Sequence, residues 1–218
     1  MVTANINDNK VRLPERFTIE EWLELQRWDF ANPAHWPHVL ETITKLDKET
    51  FVNANEESLQ LFMGFIIASV NRRQVLELPD FNTINFGQFV DLDCFISLGI
   101  DKHIYKMLEI LGVETQWASE ALWTIEQYIQ WRQSIYRKYA GLFDLNEKGY
   151  SEDTDTIDPM AVSRGWYEII TDLAGFDILK MDLVTEEPLE KVLTFLQIKK
   201  EKALKEAQEI RKIRNTKR

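Results

Sequence analysis

A chain of 218 residues, 44% of them hydrophobic, carries enough apolar material for a substantial core and suits one domain with appendages. Its formal charge is −10, but the stretch from Lys199 to Arg218 holds nine Lys or Arg against three Glu, so this tail carries +6 and the rest −16. An acidic body argues against broad binding to duplex nucleic acid, a single cysteine (Cys94) rules out an intramolecular disulfide or a thiolate metal cluster, and no apolar run reaches the roughly 18–20 residues that cross a bilayer.

Residues 1–16 are polar, with Asn5, Asn7, Asp8, Asn9 and Pro14, and are expected to form an extended N-terminal arm that orders only against something else. No signal-peptide core is visible there, so a soluble, non-secreted protein is expected. Thr18 and Glu21 make a capping-box pair that opens a short helix with Ile19, Trp22, Leu23 and Leu25. Asn32-Pro33 ends it, and Pro37 suits the first turn of a second helix. Asn55 caps a third helix reaching about Asn71, with Leu59, Phe62, Phe65, Ile66 and Val70 on one face. Residues 74–79 form a possible strand. Phe89, Leu92, Phe95 and Ile96 mark a helix closed by Gly99, and Asp101 is placed to cap the next, which ends at Gly112.

The longest helical signal runs from Trp117 to Gly141. Ala121, Leu122, Ile125, Tyr128, Ile129, Ile135, Tyr136 and Tyr139 recur at three- and four-residue steps, with Ser119 as the expected N-cap and Gly141 as the expected stop. Trp131 lies on the margin of that face and Trp123 well outside it, so this helix needs cover on more than one side. Residues 144–158 are acidic and read as a mobile loop, after which Asp158-Pro159 starts a helix that stops at Gly175. Phe176 to Leu183 reads as a short connector. Pro188 opens the last helix, where Leu189, Leu193, Leu196, Lys200, Ala203, Ala207 and Ile210 form a heptad seam with a polar break at Lys200. Continuous to Ile210, it would be roughly 35 Å long at 1.5 Å per residue. The expected architecture is therefore all-α: an irregular multi-helix bundle with an extended arm at one end and a long protruding helix at the other. Its expected segments are an arm (1–16), a helical core (17–143), the acidic loop (144–158), a helical subdomain packed on the core (159–198) and a basic tail (199–218).

Chemical signals are sparse. His35 and His38 are three apart, but Pro37 disturbs their geometry and no third ligand lies nearby. His103 stands alone beside Asp101 and Lys102. Asp91-Leu92-Asp93 resembles a two-carboxylate cation motif, yet it lacks the strand-helix alternation such motifs sit in. Asp153, Asp155 and Asp158 do not make a calcium loop, because Arg164 stands where the bidentate Glu belongs and the mid-loop Gly is missing. No catalytic residue, cofactor site or metal site is assigned. An enzyme would need Asp91 and Asp93 to meet His103 or His38 in a pocket. Partner contacts are expected instead at Trp123 and Trp131 on the long helix and at Ala203, Ala207 and Ile210 on the tail.

Two phrases carry a family resemblance. One is Phe86-Gly87-Gln88-Phe89-Val90-Asp91-Leu92; the other runs from Trp166 through Leu173-Ala174-Gly175 and Asp177-Ile178-Leu179 to Val184, Pro188-Leu189 and Val192-Leu193. Together they resemble small helical virion or assembly proteins of tailed bacteriophages, the crAss-like group among them. The resemblance implies a non-enzymatic structural protein of the head, portal vertex or head-tail connector. Such a protein is made in the bacterial cytoplasm, acts in the virion, and binds other phage proteins or further copies of itself. A tail-assembly chaperone absent from the mature particle is one alternative. Contact with nucleic acid, through the basic tail only, is another. No membrane partner is implied.

Overall fold

The computed structural model describes residues 2–6, 9–71, 77–143 and 159–216. The expected acidic loop at 144–158, with Asp153, Asp155 and Asp158, lies outside the described residues, as do residues 74–76 of the possible strand at 74–79, and residues 77–79 are not in a strand. The fold is all-α, as the helical periodicities require, with one two-stranded hairpin added. Among the described residues no helix is long and apolar enough to cross a membrane. The residues fall into two compact units that cut across the expected segments: 1–78 with 112–127, and 79–111 with 128–218.

In the first unit, β1 (Val2–Ile6) pairs antiparallel with β2 (Asn9–Leu13), Val2 opposite Leu13. The supposed free arm is therefore partly core. Val11 and Leu13 alternate in the period-two manner of a strand and are fully buried, as is Phe17. They join residues of α1 (Ile19–Leu25), α2 (Trp36–Thr44), α3 (Glu49–Val52) and α4 (Glu56–Val70), chiefly Leu25, Val39, Leu40, Phe51, Phe62 and Ile66. Each such side chain contributes about 1.5–3 kcal/mol by leaving water. The Thr18–Glu21 capping box forms as expected, and Asn55 accepts from the Glu57 amide at 2.9 Å. Just before α1 the backbone pairs with the start of α7 (Ala118–Lys138). Ile19 donates to the Gln116 carbonyl and Ala118 to the Phe17 carbonyl, each at 2.9 Å. Beside that bridge Arg16 lies over the Trp117 ring and pairs with Glu120.

The helix α7 begins one residue before Ser119, so Ser119 is not its cap. The Trp117 carbonyl takes the first helical bond, from Ala121 at 3.0 Å. Nor is Gly141 its stop, because α7 ends at Lys138 and Gly141 sits inside a short following turn, α8 (Ala140–Phe143). The unit boundary falls within α7, after Gln127. Along its apolar face, Ala121 and Ile125 are buried in one unit, and Tyr128, Ile135 and Tyr139 in the other.

The second unit holds α5 (Phe86–Leu98), α6 (Ile100–Ile110), α9 (Pro159–Leu173), α10 (Met181–Thr185) and α11 (Leu189–Thr216). Asp101 lies in the first turn of α6 and not at its cap. Gly99, with φ of 109°, makes the break between α5 and α6 that no other residue adopts readily. The two phrases that carry the family resemblance pack on each other. Phe86 and Phe89 each meet the Trp166 ring edge-on at 5.8 Å, and the Phe86 amide donates to the Glu187 carbonyl at 2.9 Å. Gly87 permits this approach, since a Cβ there would lie 2.8 Å from the Thr185 Cβ and 3.1 Å from its carbonyl oxygen. Gly87→Ala is expected to lower unfolding free energy by about 1–3 kcal/mol, read from urea midpoints, because backbone must move to admit the methyl.

Candidate protein-docking surface

The sequence-level candidates for chemistry separate in space. Asp93 on α5 is buried at 3% exposure, while Asp91, two residues earlier, points to solvent. Asp93 Oδ1 accepts from Arg132 Nε at 2.5 Å and from the Tyr136 hydroxyl at 2.7 Å, and its Oδ2 accepts from Trp166 Nε1 at 2.6 Å. Arg132 also donates to the Tyr136 hydroxyl at 2.9 Å and lies over its ring. Burial works against the Arg132 charge, but Asp93 and the neighbouring phenols outweigh it and hold its pKa above the usual value. Both Asp93 oxygens are thus occupied by side chains from α7 and α9. The cluster ties three helices together and leaves no face of the carboxylate open to a substrate or a cation.

Burial, followed by the Asp93 charge, pushes the phenols of Tyr128 and Tyr136 far above their ordinary value of 10, with Arg132 opposing. A folded pKa above the unfolded one stabilises below pH 10, and that stability is lost as the pH rises and the unfolded chain ionises. Urea midpoints are therefore expected to hold steady up to about pH 9.5 and to fall above about pH 10.

The histidines do not join Asp93. His103 stacks on Phe95 at 4.7 Å. His38 stacks on Trp28 at 4.6 Å, and His35 Nδ1 accepts the Asp29 amide at 3.2 Å. Among the described residues no group of three or more His, Cys, Asp or Glu is placed to hold a metal ion.

The expected partner residues fare differently. Trp131 is half-buried within its own unit, near the rings of Phe81, Tyr128 and Phe89 at 5.7–6.3 Å, and its indole faces Asn82. One edge of it remains in a groove of about 350 Å³ shared with Ile84, Pro188 and Leu189. Trp123 is half-buried and lines a groove of about 280 Å³ with Val70, Asn71, Leu122 and Glu126. Ala203, Ala207 and Ile210 are exposed. The α11 seam starts buried, at Leu189, Val192 and Leu193, then runs along an apolar groove of about 290 Å³ lined by Phe143, Trp166, Ile169, Leu196 and Ala203. Lys199 pairs with Asp172 at 2.6 Å at its edge. From Glu201 to Arg214 every side chain is exposed.

A further uncovered feature is one that reads as a connector in the sequence. After Gly175 (φ 64°) comes Phe176, itself left-handed at φ 62°, and its amide donates back to the Thr171 carbonyl at 2.9 Å to close α9. A 3₁₀ turn (Ile178–Lys180) then runs straight into α10. On this knuckle Phe176 is 82% exposed, Ile178 75%, Leu179 84% and Leu183 62%. Leu179 and Leu183 are one helical turn apart and share a face. Together these four side chains expose an area on the order of the ~300–600 Å² that marks the largest apolar patch of a typical monomer. A signal for it exists in the sequence: five of the eight residues from Phe176 to Leu183 are apolar, with no period that would bury them on one side.

Comparison with known protein families, with curated proteins and with solved structures returns no match to this chain.

Proposed function

We propose that the chain is a non-enzymatic structural protein of a tailed bacteriophage, at the head, the portal vertex or the head-tail connector, and that it works by docking onto other virion proteins. The observation that carries this reading is Phe176. Its backbone is left-handed, which costs a residue with a Cβ roughly 1–2 kcal/mol, and its ring is left in water, so the residue serves the isolated fold on neither count. A large aromatic held so at the tip of an apolar knuckle is what a docking surface requires. The resemblance carried by the 86–92 and 166–193 phrases supplies the phage setting.

Phe176→Asn separates the two demands. Asparagine tolerates the left-handed backbone, so this variant is expected to be as stable as the parent or more so, by about 1 kcal/mol, in urea unfolding. The same variant is expected to dock at least about tenfold more weakly. Lost stability with unchanged docking would make Phe176 a structural residue.

The setting is tested by mass spectrometry of purified particles of the phage that encodes the chain. A fixed copy number in the particle is the expected result. Presence in infected cells but not in particles selects the assembly chaperone. Absence from both contradicts the reading.

A further inference from the structure

Resting on the docking reading above, we infer that the knuckle of one copy takes the C-terminal helix of a second copy, so that the chain associates head to tail. The two surfaces match in chemistry. Around the exposed Phe176, Ile178, Leu179 and Leu183, the segment 175–187 carries Asp177, Asp182, Glu186 and Glu187 against one Lys180, an apolar patch in an acidic frame. The helix from Glu201 to Thr216 has five Lys or Arg against three Glu, with Leu204, Ile210 and Ile213 more than half exposed, an apolar helix in a basic frame. Ala203 and Ala207, one turn apart, leave a notch in which a bulky side chain such as Phe176 can seat.

Charge also decides against the symmetric alternatives. Pairing tail with tail would set two basic helices side by side, and pairing knuckle with knuckle would set two acidic frames together; like charges placed so oppose association. Within one chain the contact does not form, since both the knuckle and the helix from Glu201 to Arg214 are exposed. The tail is the continuation of a helix whose first turns are buried at Leu189, Val192 and Leu193 and tied at Lys199 to Asp172. What remains is a contact between unlike surfaces. It leaves every copy with one free donor and one free acceptor, so it closes into a ring or extends as a chain.

Sedimentation velocity of the full chain at low ionic strength tests this, with three variants. Wild type is expected to grow in mass with concentration and to dissociate as salt rises. Leu179→Asp, which spoils the knuckle, and the double variant Lys205→Glu/Lys212→Glu, which spoils the tail, are each expected to weaken association at least about tenfold. All three positions are exposed, and unchanged circular dichroism is the check that the fold is kept. A one-to-one mixture of the knuckle variant with the tail variant is expected to form a pair and stop at two chains, because each supplies the surface the other lacks. A Phe176→Ser knuckle variant, mixed in the same way, repeats the test without an added charge.

A mixture that stays monomeric overturns the inference, as does wild type that stays monomeric throughout. Retention on duplex DNA at low salt in place of self-association would assign the tail to nucleic acid and overturn it too. A chain present in particles that does not self-associate removes this inference alone. A chain that self-associates but is absent from particles and infected cells removes the phage reading alone.

Discussion

Asp93→Leu is expected to lower the unfolding free energy by about 3 kcal/mol, the scale of breaking a buried ion pair by removing one partner. The substitution leaves the Arg132 guanidinium, whose side chain is 20% exposed, without its counter-charge, and it strips the acceptor from the Tyr136 hydroxyl and the Trp166 indole. Asp93→Asn keeps an acceptor oxygen and should cost less. Asp91→Asn, at an exposed position, should change stability by no more than about 0.5 kcal/mol. Urea midpoints of the three variants check the ordering. Because the knuckle follows α9, and α9 is held to α5 through the bond from Trp166 to Asp93, Asp93→Leu is also expected to loosen docking. An effect of Asp93→Leu no larger than that of Asp91→Asn would show that the cluster does not hold these helices together.

Ending the chain after Ile198 is expected to do the reverse, leaving the fold nearly untouched while association is lost. From Glu201 to Arg214 every side chain is exposed, and only Ala203 lines the apolar groove, so removing them forfeits little burial. The Lys199–Asp172 pair that also goes is about half exposed on both sides and is worth about 0–1 kcal/mol. The truncated chain should therefore keep its cooperative unfolding transition within about 1 kcal/mol of the parent and stay monomeric where the full chain associates. Unfolding of the truncated protein would mean that the tail belongs to the core.

Much of the fold is legible in the sequence because it is written in local chemistry. The Thr18–Glu21 box, the Asn55 cap, Pro159 at the start of α9 and the stops at Gly112 and Gly175 each depend on a few neighbouring residues. The α11 helix is legible in its heptad, with Leu189 and Leu193 buried and Ala203, Ala207 and Ile210 exposed. What is not legible depends on distant partners. Val11 and Leu13 are too short an alternation to announce a strand that the core completes. Asp93 is noticeable as half of an acidic pair, but Arg132 and Trp166, 39 and 73 residues away, decide that it is a closed structural hub. Trp131 reads as a docking residue from its place on the helix margin, yet Phe81 and Phe89, which pack against it, come from other segments. The knuckle is missed for a different reason. Apolar residues without a period look like a connector, and only the absence of cover reveals them as a surface.

The proposed docking completes the chain's burial against other protein molecules through the knuckle and the exposed half of α11. Hydrogen exchange across residues 176–183 and 201–214, measured for the chain at high dilution and again in its assembled state, tests it most directly. An uncovered helical segment of this length is marginal in water, so fast exchange at dilution and marked slowing in both stretches on assembly are expected. Equal exchange rates in the two states would contradict this docking.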